Sequence, residues 1–355
     1  MSARSLATIL NSDQNSFNAV RLFAAIAVVV SHSYLLLLAG DHSEPLDWAP
    51  YNLGQIAVNV FFFLSGMMLS RSYALRPDWR RFALARILRV FPALIACGFV
   101  VAWVLGPLAT TLSIERYFAD PRTLLYPFVV PFLFDVATLP GIFQHGFNPG
   151  EVNAPLWTIK YELLAYLAFG IASALGLTQR RRLVLIATIV LGATLTVTLM
   201  LHTFEASPIG SFLRFSFCFA LGATAFQYAE QIKMPPLLAA VGVGAAFALW
   251  ATPIGAVASI IGFAGLALLL GGLDLGWLTR LTTRTDISFG LYLYAWPLQQ
   301  MLLMLRDAEG PWGLALFALP LVGAMGVALA SWHLIEKPAL RLKHFRPAAQ
   351  AASSR

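Results

Sequence analysis

Arg21 and His32 stand on a single apolar stretch, RLFAAIAVVVSH. Their separation, at about 100° per residue, is nearly three helical turns, so both side chains leave one helix face about 16 Å apart. An ionisable side chain in hydrocarbon is costly and marks a functional position, and imidazole titrates where proton transfer is easy. The pair reads as a catalytic base deep in a membrane, His32, with a cation, Arg21, on the same face near the inner surface.

The helix that carries them is one of many. Of 355 residues 59% are hydrophobic and only 12% charged, and the mean hydropathy is +0.73, too apolar for a soluble globular chain of this length. Apolar windows run near 17–39, 52–70, 85–108, 154–176, 183–201, 211–228, 236–251, 255–273, 285–305 and 313–335. The expected fold class is therefore an all-α polytopic membrane protein, a bundle of about ten transmembrane helices. With both termini cytoplasmic, 19 of the 24 Lys and Arg residues fall on the inner side, as the positive-inside rule requires. The net charge of +7 is accounted for by topology, and nothing in it argues for nucleic-acid binding. Residues 1–16 read as a cytoplasmic segment, 17–336 as one integral membrane domain and 337–355 as a cytoplasmic tail. The first apolar window follows a polar stretch and lacks a small-residue cleavage pattern, so it is expected to stay attached. Cys97 and Cys218 sit in apolar helices and suggest neither a disulfide nor a metal framework. No metal-ligand spacing links His42, His145, His202 and His344.

Two connections stand out. Residues 109–152 form a long outer segment in which LLYPFVVPFLF is apolar but too short and Pro-broken to span, so it is expected at the interface or dipping back in, as a functional loop or a tether. On the inner side RSYALRPDWRRFALARILRVFP holds six arginines. Arg86 and Arg89 are three apart and share a helix face, a fork suited to phosphate oxygens, while Arg76, Arg80 and Arg81 serve equally well as an inner anchor.

The segments RLFAAIAVVVSH, AVNVFFFLSGMML, RILR, NAPLWTIKYELLAY, SFGLYLYAWP and HLIEKPAL, in this order, resemble the acyltransferase family 3 of integral membrane O-acyltransferases. The resemblance spans nearly the whole chain. It implies transfer of an acyl group, commonly acetyl, from cytoplasmic acyl-CoA to a hydroxyl of a sugar or cell-surface glycan on the outer side of the plasma membrane, the inner membrane in a Gram-negative cell. The same resemblance implies His32 as the essential residue, Arg21 as its companion and Arg86 with Arg89 as donor-side arginines, and it points to Ser65, Trp157, Glu162 and Tyr292. One departure is Ala295, where the family motif often has a second histidine before Trp-Pro.

Depth arithmetic also brings Glu162 near His32. His32 lies about 22 Å up a helix rising from the cytoplasm, and Glu162 about 12 Å down one descending from outside. A carboxylate on one imidazole nitrogen would set the tautomer and stabilise the imidazolium, although Glu162 could instead neutralise Lys160 or Arg214. Imidazole is competent as a general base and as a transiently acylated nucleophile, and residue types do not choose between them. Asn59, Ser65 and Tyr292 are candidate oxyanion donors or acceptor contacts, with helix packing the other role for Asn59 and Ser65. Gln299 and Gln300 reach the depth of His32 and suit a sugar or a helix contact; Arg214, just below the outer surface, suits an anionic acceptor or snorkels. Trp48, Tyr51, Trp157 and Trp312 fit an outer aromatic belt, and His333, Glu336 and Lys337 an inner anchor. A transporter or flippase without acyl transfer is the alternative from another class, since buried Lys160, Glu162 and Arg214 would also line a permeation path.

Overall fold

The computed structural model of the protein describes residues 4–12, 14–37, 44–133, 138–144, 150–203, 207–233, 236–305 and 315–344. His42, His145, Arg306 and Trp312 lie outside them. Every apolar window coincides with a helix. The helices are α1 (Phe17–Leu37), α2 (Leu53–Leu75), α3 (Trp79–Phe99), α4 (Pro121–Leu133), α5 (Ile159–Ala174), α6 (Arg181–Met200), α7 (Pro208–Gln227), α8 (Pro236–Ala248), α9 (Pro253–Gly271), α10 (Trp277–Arg284), α11 (Ser288–Leu305) and α12 (Ala315–Ser331). Among the described residues no strand forms, only isolated bridges such as Thr110 with Ile142.

Among the described residues seven helices are long and apolar enough to cross a membrane, against the ten expected. The difference has a local cause. α5 has 16 residues and α8 has 13, while α11 dilutes its apolar run with Tyr292, Tyr294, Pro297, Gln299 and Gln300. α3 is prolonged by a π-helical stretch, Val100–Leu105, and a final turn, Gly106–Ala109, into a 31-residue span.

The long 109–152 segment is folded back onto this extension. α4, 13 residues with Pro127 and Pro131 inside it, packs along α3, where a Cβ on Gly98 would stand 2.6 Å from the Pro127 backbone. The Tyr117 hydroxyl closes the turn by donating to the Ala102 carbonyl at 2.8 Å.

α1 packs against α2, α11 and α12, so the helix bearing Arg21 and His32 is at the centre of the bundle. Gln299 clamps it from α11: its amide donates to the Val29 carbonyl at 2.8 Å and the Ser33 hydroxyl at 2.7 Å. This is the helix-contact role, as expected for a polar group where no water competes. Below, Ser16 is tied to the far end of the chain through Thr279 and the Leu273 carbonyl.

The tightest crossing is α2 on α7. A Cβ on Gly66 would stand 2.0 Å from the Phe219 carbonyl oxygen and one on Gly222 1.9 Å from that of Phe63, so both positions need glycine for backbone contact. Forcing methyl groups into such contacts displaces backbone, not side chains. Gly222→Val is expected to abolish the monodisperse peak in size-exclusion chromatography of detergent-solubilised protein. Gly323→Ala, whose Cβ would meet nothing within 4 Å, should leave that peak unchanged.

Candidate active site

Four charged side chains meet where α1, α3, α11 and the end of α12 converge. Asp286 in the turn before α11 divides its carboxylate: one oxygen accepts from the Ser288 hydroxyl at 2.6 Å, and the other takes Arg21 at 2.9 Å and Arg89 at 2.7 Å. Burial alone would raise this carboxyl, yet the two guanidinium groups hold it well below the usual range. Arg89 also reaches Glu336 at 3.3 Å and lies between the rings of Phe289 and Trp332. α12 passes into a π-helical turn, Trp332–Glu336, which buries Trp332 and Glu336 on the Arg89 side while Leu334 faces out.

This corrects two expectations. Arg89 is not one tine of a phosphate fork with Arg86, because carboxylates take up its donors. Glu336, only 1% exposed, is a buried counter-charge and not a surface anchor. Asp286 and Glu336 are the residues that sequence reasoning missed; the available signal was that a buried arginine in an apolar span demands a carboxylate somewhere in the chain.

Arg86 points elsewhere. It lies over the Tyr166 ring at 5.7 Å and lines an inner cavity of about 110 Å³ together with Arg76, Arg81 and Lys343. Arg86 Nε has no hydrogen-bond partner. Four cations around one small cavity make a site for a polyanion. Desolvation, and after it the nearby arginines Arg86 and Arg76, lower the Lys343 ammonium from its ordinary value.

Above the ion-pair cluster, a narrow passage of about 50 Å³ is bounded by Arg21, Ser65, Glu162 and Tyr292 among apolar walls such as Phe61 and Phe289. Beyond it opens an outer chamber of about 270 Å³ that holds His32, Glu44, Gln55, Trp157, Arg214 and Trp296. Val58, Thr158 and Tyr292 line both spaces and form the septum between them. The Tyr292 hydroxyl donates to the Pro155 carbonyl at 2.6 Å and pairs with the Thr158 hydroxyl at 2.6 Å. Pro155 and Thr158 belong to the 3-10 turn, Ala154–Thr158, that leads into α5.

The septum decides the fate of the expected His32–Glu162 pair, which does not form. Glu162 accepts from Tyr166 one turn along its own helix and faces the passage, while the His32 ring faces the outer chamber. Lys160 and Arg214 are not its partners either; both line the outer side. The His32 imidazole meets Trp296 edge to face, centroids 5.1 Å apart. Two carboxylates line its chamber, Glu151 and Glu44, the latter accepting from Ser31, the residue before His32. Burial raises the Glu44 carboxyl, with the Ser31 hydrogen bond opposing.

The remaining candidates separate. Ser65 and Tyr292 reach the passage, and Trp157 stands at the outer chamber's edge against Tyr161 and Phe215. Asn59 lines neither space; its buried side-chain oxygen has no hydrogen-bond partner. Ala295 is packed with Ala25, Val29, Ala324 and Ala328, a small-residue contact with no room for a second imidazole. Among the described residues no cluster of His, Cys, Asp or Glu could hold a metal ion.

Residues 14–334 match the profile of acyltransferase family 3, described as an acyltransferase domain. The chain is also similar to the "O-acetyl transferase" of Shigella phage Sf6, 26% identical over 335 residues that cover 91% of this chain and 95% of that protein. It is similar to "Nodulation protein 10" of Rhizobium leguminosarum bv. viciae, 26% identical over 357 residues that cover 93% and 94%. No solved structure matches the chain significantly. The protein belongs to acyltransferase family 3 and is a multi-pass membrane enzyme of the O-acyltransferase type. The transporter alternative gives way to this family membership.

Removing one partner of a buried ion pair strands the others, at a cost of about 3–5 kcal/mol. Arg89→Ala is thus expected to lose the folded protein, measured by thermal unfolding in detergent. Arg86→Ala, which breaks no ion pair, should unfold within about 2 °C of the wild type, a difference of well under 1 kcal/mol.

Proposed function

We propose that the protein moves an acyl group, acetyl in the simplest case, from cytoplasmic acyl-CoA to a hydroxyl of a sugar or exported glycan on the outer face of the plasma membrane. The observation that carries this reading is a cationic inner cavity between α2 and α3 together with two adjoining spaces along α1, a narrow passage beside Arg21 and an outer chamber with His32. With both termini inside, the cationic cavity faces the cytoplasm, where the positive-inside rule puts most of the basic residues.

In this reading Arg86, with Arg76, Arg81 and Lys343, takes the phosphates of the nucleotide by charge-assisted hydrogen bonds. The acyl arm threads past Arg21, whose guanidinium Asp286 holds in place from below. Glu162, fixed by Tyr166, balances Arg21 across the passage and acts on the donor side, not on the imidazole. Arg89 supports the site indirectly by holding Asp286 and Glu336.

His32 removes the proton from the acceptor hydroxyl as that oxygen attacks the thioester carbonyl. The carbonyl becomes a tetrahedral oxyanion beside the septum, where the Tyr292 and Thr158 hydroxyls donate to it by turning away from the Pro155 carbonyl that they hold at rest. Collapse expels the coenzyme thiolate, which takes the proton from the imidazolium, and the ester remains on the acceptor. A neutral imidazole starts and ends the cycle. Glu44, in the same chamber, stabilises the imidazolium while it exists.

Purified protein in nanodiscs, given acetyl-CoA and a glycan extract, tests the proposal by release of free thiol and gain of one acetyl mass on the glycan. His32→Ala is expected to abolish both while the protein still elutes as a single species. Arg86→Ala should raise the KM for acetyl-CoA about tenfold with kcat little changed, the loss of about 1.4 kcal/mol of ground-state binding. Thiol release by His32→Ala at the wild-type rate would overturn the assignment of the base, and wild-type donor kinetics in Arg86→Ala that of the donor cavity.

A further inference from the structure

The outer chamber opens into a much larger cleft of about 870 Å³, and Gln55, Trp157 and Arg214 line both. At its mouth Trp48 and Trp250 stand edge to face, centroids 5.8 Å apart, 55% and 46% exposed. Flat apolar rings on an open wall suit the CH faces of sugar rings, with few polar groups needed to fix orientation.

Arg214 is the exceptional residue of this cleft. It projects from α7 and is only 9% exposed. Its guanidinium lies over Tyr51 at 5.1 Å and Phe215 at 4.5 Å. Nε is buried without a hydrogen-bond partner, and among the described residues no carboxylate pairs with Arg214. Arg89, by contrast, has two carboxylates, and Arg86 belongs to the cavity assigned to a polyanionic donor. Cation–π contact offsets part of the desolvation and leaves a planar fork of donors facing the cleft. The described lining of the cleft contains Lys160 and His202 and no Asp or Glu. Glu44 and Glu151 line the His32 chamber, on whose border with the cleft Arg214 stands.

We infer that the cleft binds a saccharide carrying an oxyanion, a carboxylate or a phosphate, which docks on the Arg214 guanidinium while Trp48 and Trp250 hold the sugar rings. The distribution of charge then orients the ligand. An oxyanion is drawn to Arg214 and repelled by Glu44 and Glu151, so a neutral, hydroxyl-bearing end enters the His32 chamber. The inference rests on the acyltransferase reading for the fate of that hydroxyl, and not for binding.

The test is equilibrium binding by full-length protein in nanodiscs, using trigalacturonic acid, its methyl ester, maltotriose and a phosphorylated maltotriose. At least one anionic saccharide is expected to bind ten or more times as tightly as its neutral counterpart. Which of them binds distinguishes carboxylate from phosphate. The preference should vanish in Arg214→Gln and persist in Arg214→Lys, with acetyl-CoA binding equal in all three proteins as the check on folding. Because the ester comparison needs no variant, a folding defect does not shelter the idea. Equal binding of charged and neutral saccharides by the wild type, absence of binding by both, or an unchanged preference in Arg214→Gln overturns it. Charge-selective binding without acyl transfer would sink the enzymatic reading and leave this one standing. Acyl transfer by a wild-type protein that binds charged and neutral saccharides equally would do the reverse.

Discussion

Two arginines and two carboxylates, paired in a partly buried cluster at one end of a helical bundle, tie the molecule into a single body. Arg21 comes from α1, Arg89 from α3, Asp286 from the turn before α11 and Glu336 from the π-helical end of α12. Each ion alone would be untenable in that setting, so the four elements are bound to arrive together or not at all. The consequence reaches upward. With its base held by Asp286 and its middle by Gln299, α1 has one rotational setting, and that setting turns Arg21 toward the passage and His32 toward the outer chamber.

The septum of Tyr292, Thr158 and Pro155 imposes the second constraint. It separates a space that opens toward cations from one that holds an imidazole and carboxylates. A water-filled channel through the bundle would leak ions across the membrane; a partition of packed side chains sets the two spaces apart. Glu162 and His32 lie at similar depth, yet the partition gives them different neighbours, and depth alone did not reveal that.

Much of this was legible in the residues. Apolar windows marked ten of the twelve helices named, all but α4 and α10, because hydrocarbon tolerates little else, and the 11-residue interval between Arg21 and His32 set both on one face by helical periodicity alone. The family resemblance held over residues 14–334. Arg86 and Arg89, by contrast, look equivalent in RILR and are not: three residues rotate them enough that one meets Asp286 and Glu336 and the other an open cavity. Asp286 and Glu336 were unreadable as partners since about 200 or more residues separate them from Arg89.

What the amino-acid order determined by itself was therefore whatever a single helix and its solvent decide: which segments are helical, which residues share a face, and that isolated charges in apolar runs must matter. The tertiary structure alone decided which charges neutralise each other, where the septum falls, and which cation, Arg214, is left facing an open cleft. These depend on distances between segments remote in the chain, and a side chain's energy in a low-dielectric interior is set by the few groups within about 4–6 Å of it.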